Sequence, residues 1–193
     1  MDIYFDTEFS GLHKNTTLIS MGLVSEYGDE LYLEFLDYDE TQCDDWIKDN
    51  VIKHTHFLSR NIDKSKCRIY TNGQGKYCST KNKCSVVLEK WLSDFNTDIQ
   101  LVSDCCHYDM VLFIDMFGSA FDLPEFINPV CHDINQDIAA FLGITERKAF
   151  DLNREDFIKQ YGTMDIVGNK HNSLYDAKVI RKIYNITHGV MVY

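Results

Sequence analysis

The sequence predicts an α/β layered fold, a mixed five-stranded sheet flanked by helices, on two observations. Three runs rich in β-branched and aromatic residues open the chain, with the turn dipeptide Gly28-Asp29 between the second and third. From Cys84 onward, short apolar runs alternate with stretches of helical spacing. Antiparallel strands first and strand–helix alternation afterwards require one sheet that contains both kinds of pairing.

Taken in order, the opening strands are "DIYFDTEF", "TTLISMGLVSEY" and "ELYLEFLDY". The segment "CDDWIKDNVIKH" reads as a helix that carries Val51 on one side with Trp46 or Ile47. The basic stretch from about residue 61 to 82 has no period and several Gly and Asn residues, so it reads as a loop or ragged hairpin. In "SVVLEKWLSDF", Val87 with Trp91 and Leu88 with Leu92 lie at helical spacing, and Ser85 is placed to cap. "DIQLVS" is a short buried strand, and "CHYDMVLFIDMFG" an apolar helix stopped by Gly118. "NPVCHDI" is read as the fifth strand, followed by the helix "NQDIAAFLG". "NREDFIKQY" and "SLYDAKVIRKIYNITHG" complete the helices.

At 193 residues, with 45% apolar and 13% aromatic content, the chain suits one domain, 1–193, with a full core. No apolar run reaches a membrane span, since "MVLFIDMFG" is broken by Asp115, and the N-terminus lacks a basic leader. The expectation is a cytoplasmic protein with no membrane partner. Seven cysteines with no export signal point to reduced thiols. Zinc held by Cys67, Cys78 and Cys84 is an alternative, although their spacing matches no familiar site. Net charge is −11, yet the insertion at about 60–84 carries seven basic residues against Asp63 alone. That local +6 leaves −17 on the remainder. The run reads either as a solvated loop or as a basic arm that gathers phosphates.

Four pieces of sequence carry chemistry only when weighed together: Asp6-x-Glu8 at the end of the first strand, Asp109, His171 and Asp176. Each has an ordinary explanation. Asp6 and Glu8 suit a solvated strand end, Asp109 the positive end of a helix, and Asp176 a capping box with Ser173. Converged on one sheet end, however, these carboxylates would repel by about 4 kcal/mol per close pair at an effective dielectric of ~20. Only cations make such a nest tolerable, and an all-oxygen set selects magnesium or manganese over zinc. His171, on the loop before the helix that carries Asp176, suits a base that accepts a proton from an attacking water.

These residues carry a resemblance. "FDTEFSG", "SDCCHYDMVLF" and "HNSLYDAKVI" look like the three motifs of the DEDD exonuclease superfamily, and His171-x4-Asp176 has the spacing of its DEDDh branch. Over residues 3–184 the order resembles that of RNase T-like exoribonucleases. The resemblance implies a ribonuclease H-like fold, two Mg2+ or Mn2+ ions, and hydrolysis of single-stranded RNA or DNA from the 3′ end to nucleoside 5′-monophosphates. Asp6 would bridge the ions, Glu8 and Asp176 complete the tighter site, Asp109 hold the second ion, and His171 act as base. Asp104, five residues before Asp109, is the other candidate for the second motif; the context "YDMVLF" favours Asp109. Thr7, Phe9, Tyr108 and Lys170 are the expected substrate contacts, the aromatics by stacking on bases and Lys170 by neutralising a phosphate. Expected partners are single-stranded 3′ ends, RNA over DNA, and a homodimer is compatible with the apolar faces. The competing reading is a catalytically silent ribonuclease H-like module that binds nucleic acid or a polymerase.

Overall fold

The computed structural model describes residues 1–60, 70–71 and 75–190. Elements run in the order β1 (Asp2–Phe9), β2 (Leu18–Ser25), β3 (Glu30–Phe35), α1 (Asp45–Asn50), β4 (Tyr70–Thr71), β5 (Lys76–Ser79), α2 (Lys81–Ser93) and β6 (Gln100–Ser103). There follow α3 (His107–Asp115), β7 (His132–Asp133), α4 (Ile134–Leu142), α5 (Glu146–Phe150), α6 (Arg154–Tyr161) and α7 (Ser173–Thr187). They build one mixed sheet in the order β4-β5-β3-β2-β1-β6-β7. β1, β2 and β3 are antiparallel, as expected, while β6 joins β1 in parallel on the other side.

The sheet has seven strands rather than five. The extra pair, β4 and β5, is antiparallel, the hairpin that is one of the two readings of the aperiodic basic stretch, and β5 also runs parallel to β3. Tertiary pairing supplies order there that local periodicity does not signal. "NPVCHDI" contributes only the two residues of β7, and the short α5 has no counterpart in the sequence reading. α2 begins at Lys81, so Ser85 lies inside the helix instead of capping it. Lys64, Lys66, Arg68 and Cys67 lie outside the described residues.

Strand alternation sorts β1 between two cores. Ile3 and Phe5, with Phe9 partly buried, face α2 and α3 through Leu88, Leu92, Met110 and Phe113. Tyr4 faces the opposite layer, where α4, α6 and α7 bring Ile138, Phe157, Val179 and Ile183. Asp6 and Glu8 therefore open on the α7 side, just beyond the apolar contact of Tyr4.

Two devices fix α7 against the sheet. Gly22 lies opposite Asp6 on β2, and a Cβ there would come within 2.3 Å of the Leu174 nitrogen and the Ser173 carbon. A glycine inside a strand permits that close backbone approach. Asn172 caps the helix through the Tyr175 N–H, and its side-chain amide donates to the His54 carbonyl at 2.9 Å. The segment around His54 is itself pinned by the buried carboxylate of Glu34, which accepts the backbone N–H groups of His56, Phe57 and Leu58. No described helix is long and apolar enough to cross a membrane.

Candidate active site

β1 delivers Asp6 and Glu8 from one face, and the first turns of α7 deliver Asp176. One carboxylate oxygen from each lies within 4.8 Å of the other two. This is the convergence the sequence reading required, for three of its four acids. The nest lies in a cleft of about 370 Å³ that Phe9, Asp104, Arg154, Lys170 and His171 also line. Among the described residues, Asp6, Glu8 and Asp176 have no Lys, Arg or His side chain within ion-pair distance.

The electrostatics follow. Burial, then the charges of Asp109, Asp176 and Glu8, push the Asp6 carboxyl well above the usual carboxylate range. Burial and the Asp176 and Asp109 charges do the same to Glu8. Burial raises Asp176 to about 7, against the opposing effect of the His171 N–H it accepts at 2.8 Å. Three crowded oxygen donors, with no cationic side chain among the described residues within ion-pair distance and only the more distant Lys170 charge acting on Asp176, fit a hard divalent ion, with Asp6, Glu8 and Asp176 as its holders.

Asp109 sits differently. It is buried where β6 ends beside β1, and its oxygens accept Thr7 Oγ1 at 2.5 Å, Thr7 N at 3.2 Å and Ser103 Oγ at 2.5 Å. Burial raises its pKa to about 6, with the Ser103 and Thr7 hydrogen bonds working against the rise. It lies close enough to shift Asp6 but outside the three-oxygen group. The same bonds tie up the hydroxyl of Thr7, an expected substrate contact. Asp104 lines the cleft but is held by Arg154, with Nε to Oδ2 at 2.6 Å and Nη2 to Oδ1 at 2.8 Å, and by Asn135.

Asp176 is not the partner of a capping box. The cap is Asn172, Ser173 instead meets Ser20 at 2.9 Å, and Asp176 reaches back to the His171 N–H. His171 adopts a left-handed backbone, φ 64°, uncommon for a residue with a Cβ. Its ring packs edge-to-face with Trp46 of α1, centroids 5.0 Å apart. Burial, with Lys170 and His54 nearby, lowers its pKa below that of a free imidazole. Phe9 and Tyr108 stack on one another at 5.2 Å, while Lys170 is exposed at the cleft.

Sequence reading missed Trp46 as a neighbour of His171, Arg154 as the clamp on Asp104, and Gly22 as the seat of α7. Only Gly22 left a local signal, a glycine amid strand residues. The other two contacts join segments far apart in the chain.

No family model matches the chain, and no curated protein sequence does. Solved structures do. The nuclease domain of 3′hExo, a DEDDh family member, bound to rAMP, aligns with a TM-score of 0.65 at 14% identity over 100% of this chain and 94% of that one. A 3′-exonuclease from a structure of 3′-end specific recognition of histone mRNA stem-loop gives 0.62 at 15% identity, over 98% of this chain and 64% of that one. S. pombe Pop2p in its Mg2+ and Mn2+ bound form gives 0.54 at 14% identity, over 95% and 81% of the two chains. The chain has the ribonuclease H-like fold of these proteins.

Proposed function

We propose that this chain is a DEDDh-type, divalent-metal-dependent 3′–5′ exonuclease that hydrolyses single-stranded RNA, or DNA, to nucleoside 5′-monophosphates. The observation that carries the reading is the nest itself: Asp6, Glu8 and Asp176 converge within 4.8 Å, and no cationic side chain among the described residues pairs with them. The fold shared with DEDDh nuclease domains supports it.

Asp6, Glu8 and Asp176 would hold one Mg2+ or Mn2+, and Asp109, beside them, would serve a second. Such a pair, when bound, stabilises the negative charge on the attacking and leaving oxygens of an in-line displacement at phosphorus. The chain's own part is positional. β1 and α7 fix the carboxylates, and Ser103 and Thr7 hold Asp109 in one orientation. His171 accepts the proton of the attacking water at an imidazole nitrogen; a neutral ring, favoured by its lowered pKa, is the form that can do so. Phe9 and Tyr108 already form a stack beside the acids, a platform for a terminal base. Lys170, exposed in the lining of the cleft, would meet a phosphate oxygen.

The deciding experiment incubates 3′- and 5′-labelled single-stranded RNA and DNA with magnesium or with a chelator. Mononucleotides released from the 3′ label first, only with the metal, are the expected result. Retention of intact label under both conditions would favour a silent binding module.

A further inference from the structure

Arg181 stands apart from the other buried polar groups. It projects from α7 toward the β2–β3 turn, where Nη2 donates to the Glu26 carbonyl at 2.8 Å. Its Nε is buried and is the one such side-chain atom among the described residues with no hydrogen-bond partner. Native folds satisfy buried donors almost throughout, so an orphan on a cation asks what meets it. The neighbouring cations are matched: Lys178 pairs with Glu30 at 2.8 Å and Lys182 with Asp165 at 3.0 Å. Arg181 has no carboxylate within ion-pair distance among the described residues, which makes it the unpaired one of the three cations.

All three cations line a cleft of about 380 Å³ between the β2–β3 hairpin, residues 165–167 and α7. Val24, Ile166 and Val167 give it apolar wall, Asn185 adds an amide, and Glu30 and Asp165, the partners of the two lysines, line it as well. Arg181 follows Asp176 by five residues, about 7.5 Å farther along the helix and ~140° around it. The cleft thus opens on the flank of α7 facing β2 and β3, away from the carboxylate nest.

We infer that this cleft is a second anion site, one that binds the phosphate group of a nucleotide. A guanidinium fork matches phosphate geometry, and Lys178 and Lys182 beside it, held in ion pairs with Glu30 and Asp165, offset those carboxylates so that the charge left to an anion is that of Arg181. The cleft exceeds a phosphate in size, so a nucleoside has room against the apolar wall. That phosphate belongs either to a free nucleoside monophosphate or to a strand crossing the molecule away from the nest.

Calorimetric titration of the full chain separates these sources, using inorganic phosphate, AMP and a ten-nucleotide single-stranded RNA, all with chelator present. The Asp6→Asn background takes one of the three carboxylates from the nest and the chelator removes its metal, so the outcome holds whether or not the nuclease reading does. Saturable binding of AMP, weakened at least tenfold by Arg181→Gln, is expected for a free-nucleotide site. Binding of the RNA alone, with the same loss, assigns the phosphate to a strand. Should Arg181→Gln not fold, the surface double variant Lys178→Ala/Lys182→Ala decides, with several-fold weakening expected. No saturable binding of any probe, or binding that the folded variant leaves unchanged, overturns the site.

Discussion

Asp104 and Asp109 are five residues apart and were equal in type; their surroundings now separate them. Asp104 is tied to Arg154 and Asn135, contacts that join the end of β6 to α4 and α6. Asp109 is tied only to hydroxyls and one backbone N–H, neutral donors that leave its charge directed at Asp6. Asp109→Asn should therefore cut turnover by about 10²-fold or more with little change in melting temperature. Asp104→Asn should act mainly on stability, because its loss strands the largely buried guanidinium of Arg154, a cost of about 1–3 kcal/mol. Parallel kinetics and thermal melts of the two variants check this, and the opposite pattern would reassign the second-motif acid. His171→Ala removes the proposed base while Asp6, Glu8 and Asp176 remain. Turnover should fall ~10²–10⁴-fold with magnesium affinity near normal, read from single-turnover rates beside a metal titration.

At the level of elements, the site depends on how closely α7 lies on β2. Gly22 is the contact, and the helix can approach Asp6 only because no side chain intervenes. Gly22→Ala should push Ser173 and Leu174 outward, costing about 1–3 kcal/mol in overpacking and drawing Asp176 from its partners. The signature is a lowered melting temperature together with a smaller magnesium-induced rise; a normal rise would show that α7 does not set the nest. The glycine was visible in the sequence, but its role was not, since the helix it touches lies some 150 residues on. For β5 the hairpin with β4 is one of the two readings of its stretch, but the residues from 76 to 79 do not announce its parallel pairing with β3.

For the whole molecule, the acids couple folding to pH and, on the proposed function, to metal. Asp6 and Glu8 are held well above their ordinary range, Asp109 at about 6 and Asp176 at about 7. The folded chain thus keeps protons that the unfolded chain releases near pH 4, and stability falls as pH rises between about 4 and 7. Metal-free protein should lose on the order of 5 °C in melting temperature across that window. Millimolar magnesium should cancel the loss by replacing the protons, and Asp6→Asn should flatten both effects. A melting temperature indifferent to magnesium at pH 7.5 would contradict the metal nest. Melts across the pH range, with and without the ion, provide the test.

What the sequence by itself determined is the order of the antiparallel opening strands, the helices with clear 3.6-residue spacing, and the three short motifs that hold the acids. Those features are local, because period, turn chemistry and residue type act over a few neighbours. Only the tertiary structure decided which acids meet, which way Asp104 and Asp109 point, and that Asn172 rather than Ser173 caps the last helix. These depend on β1, β6 and α7 reaching one sheet end from opposite parts of the chain, a convergence fixed by packing across the whole core.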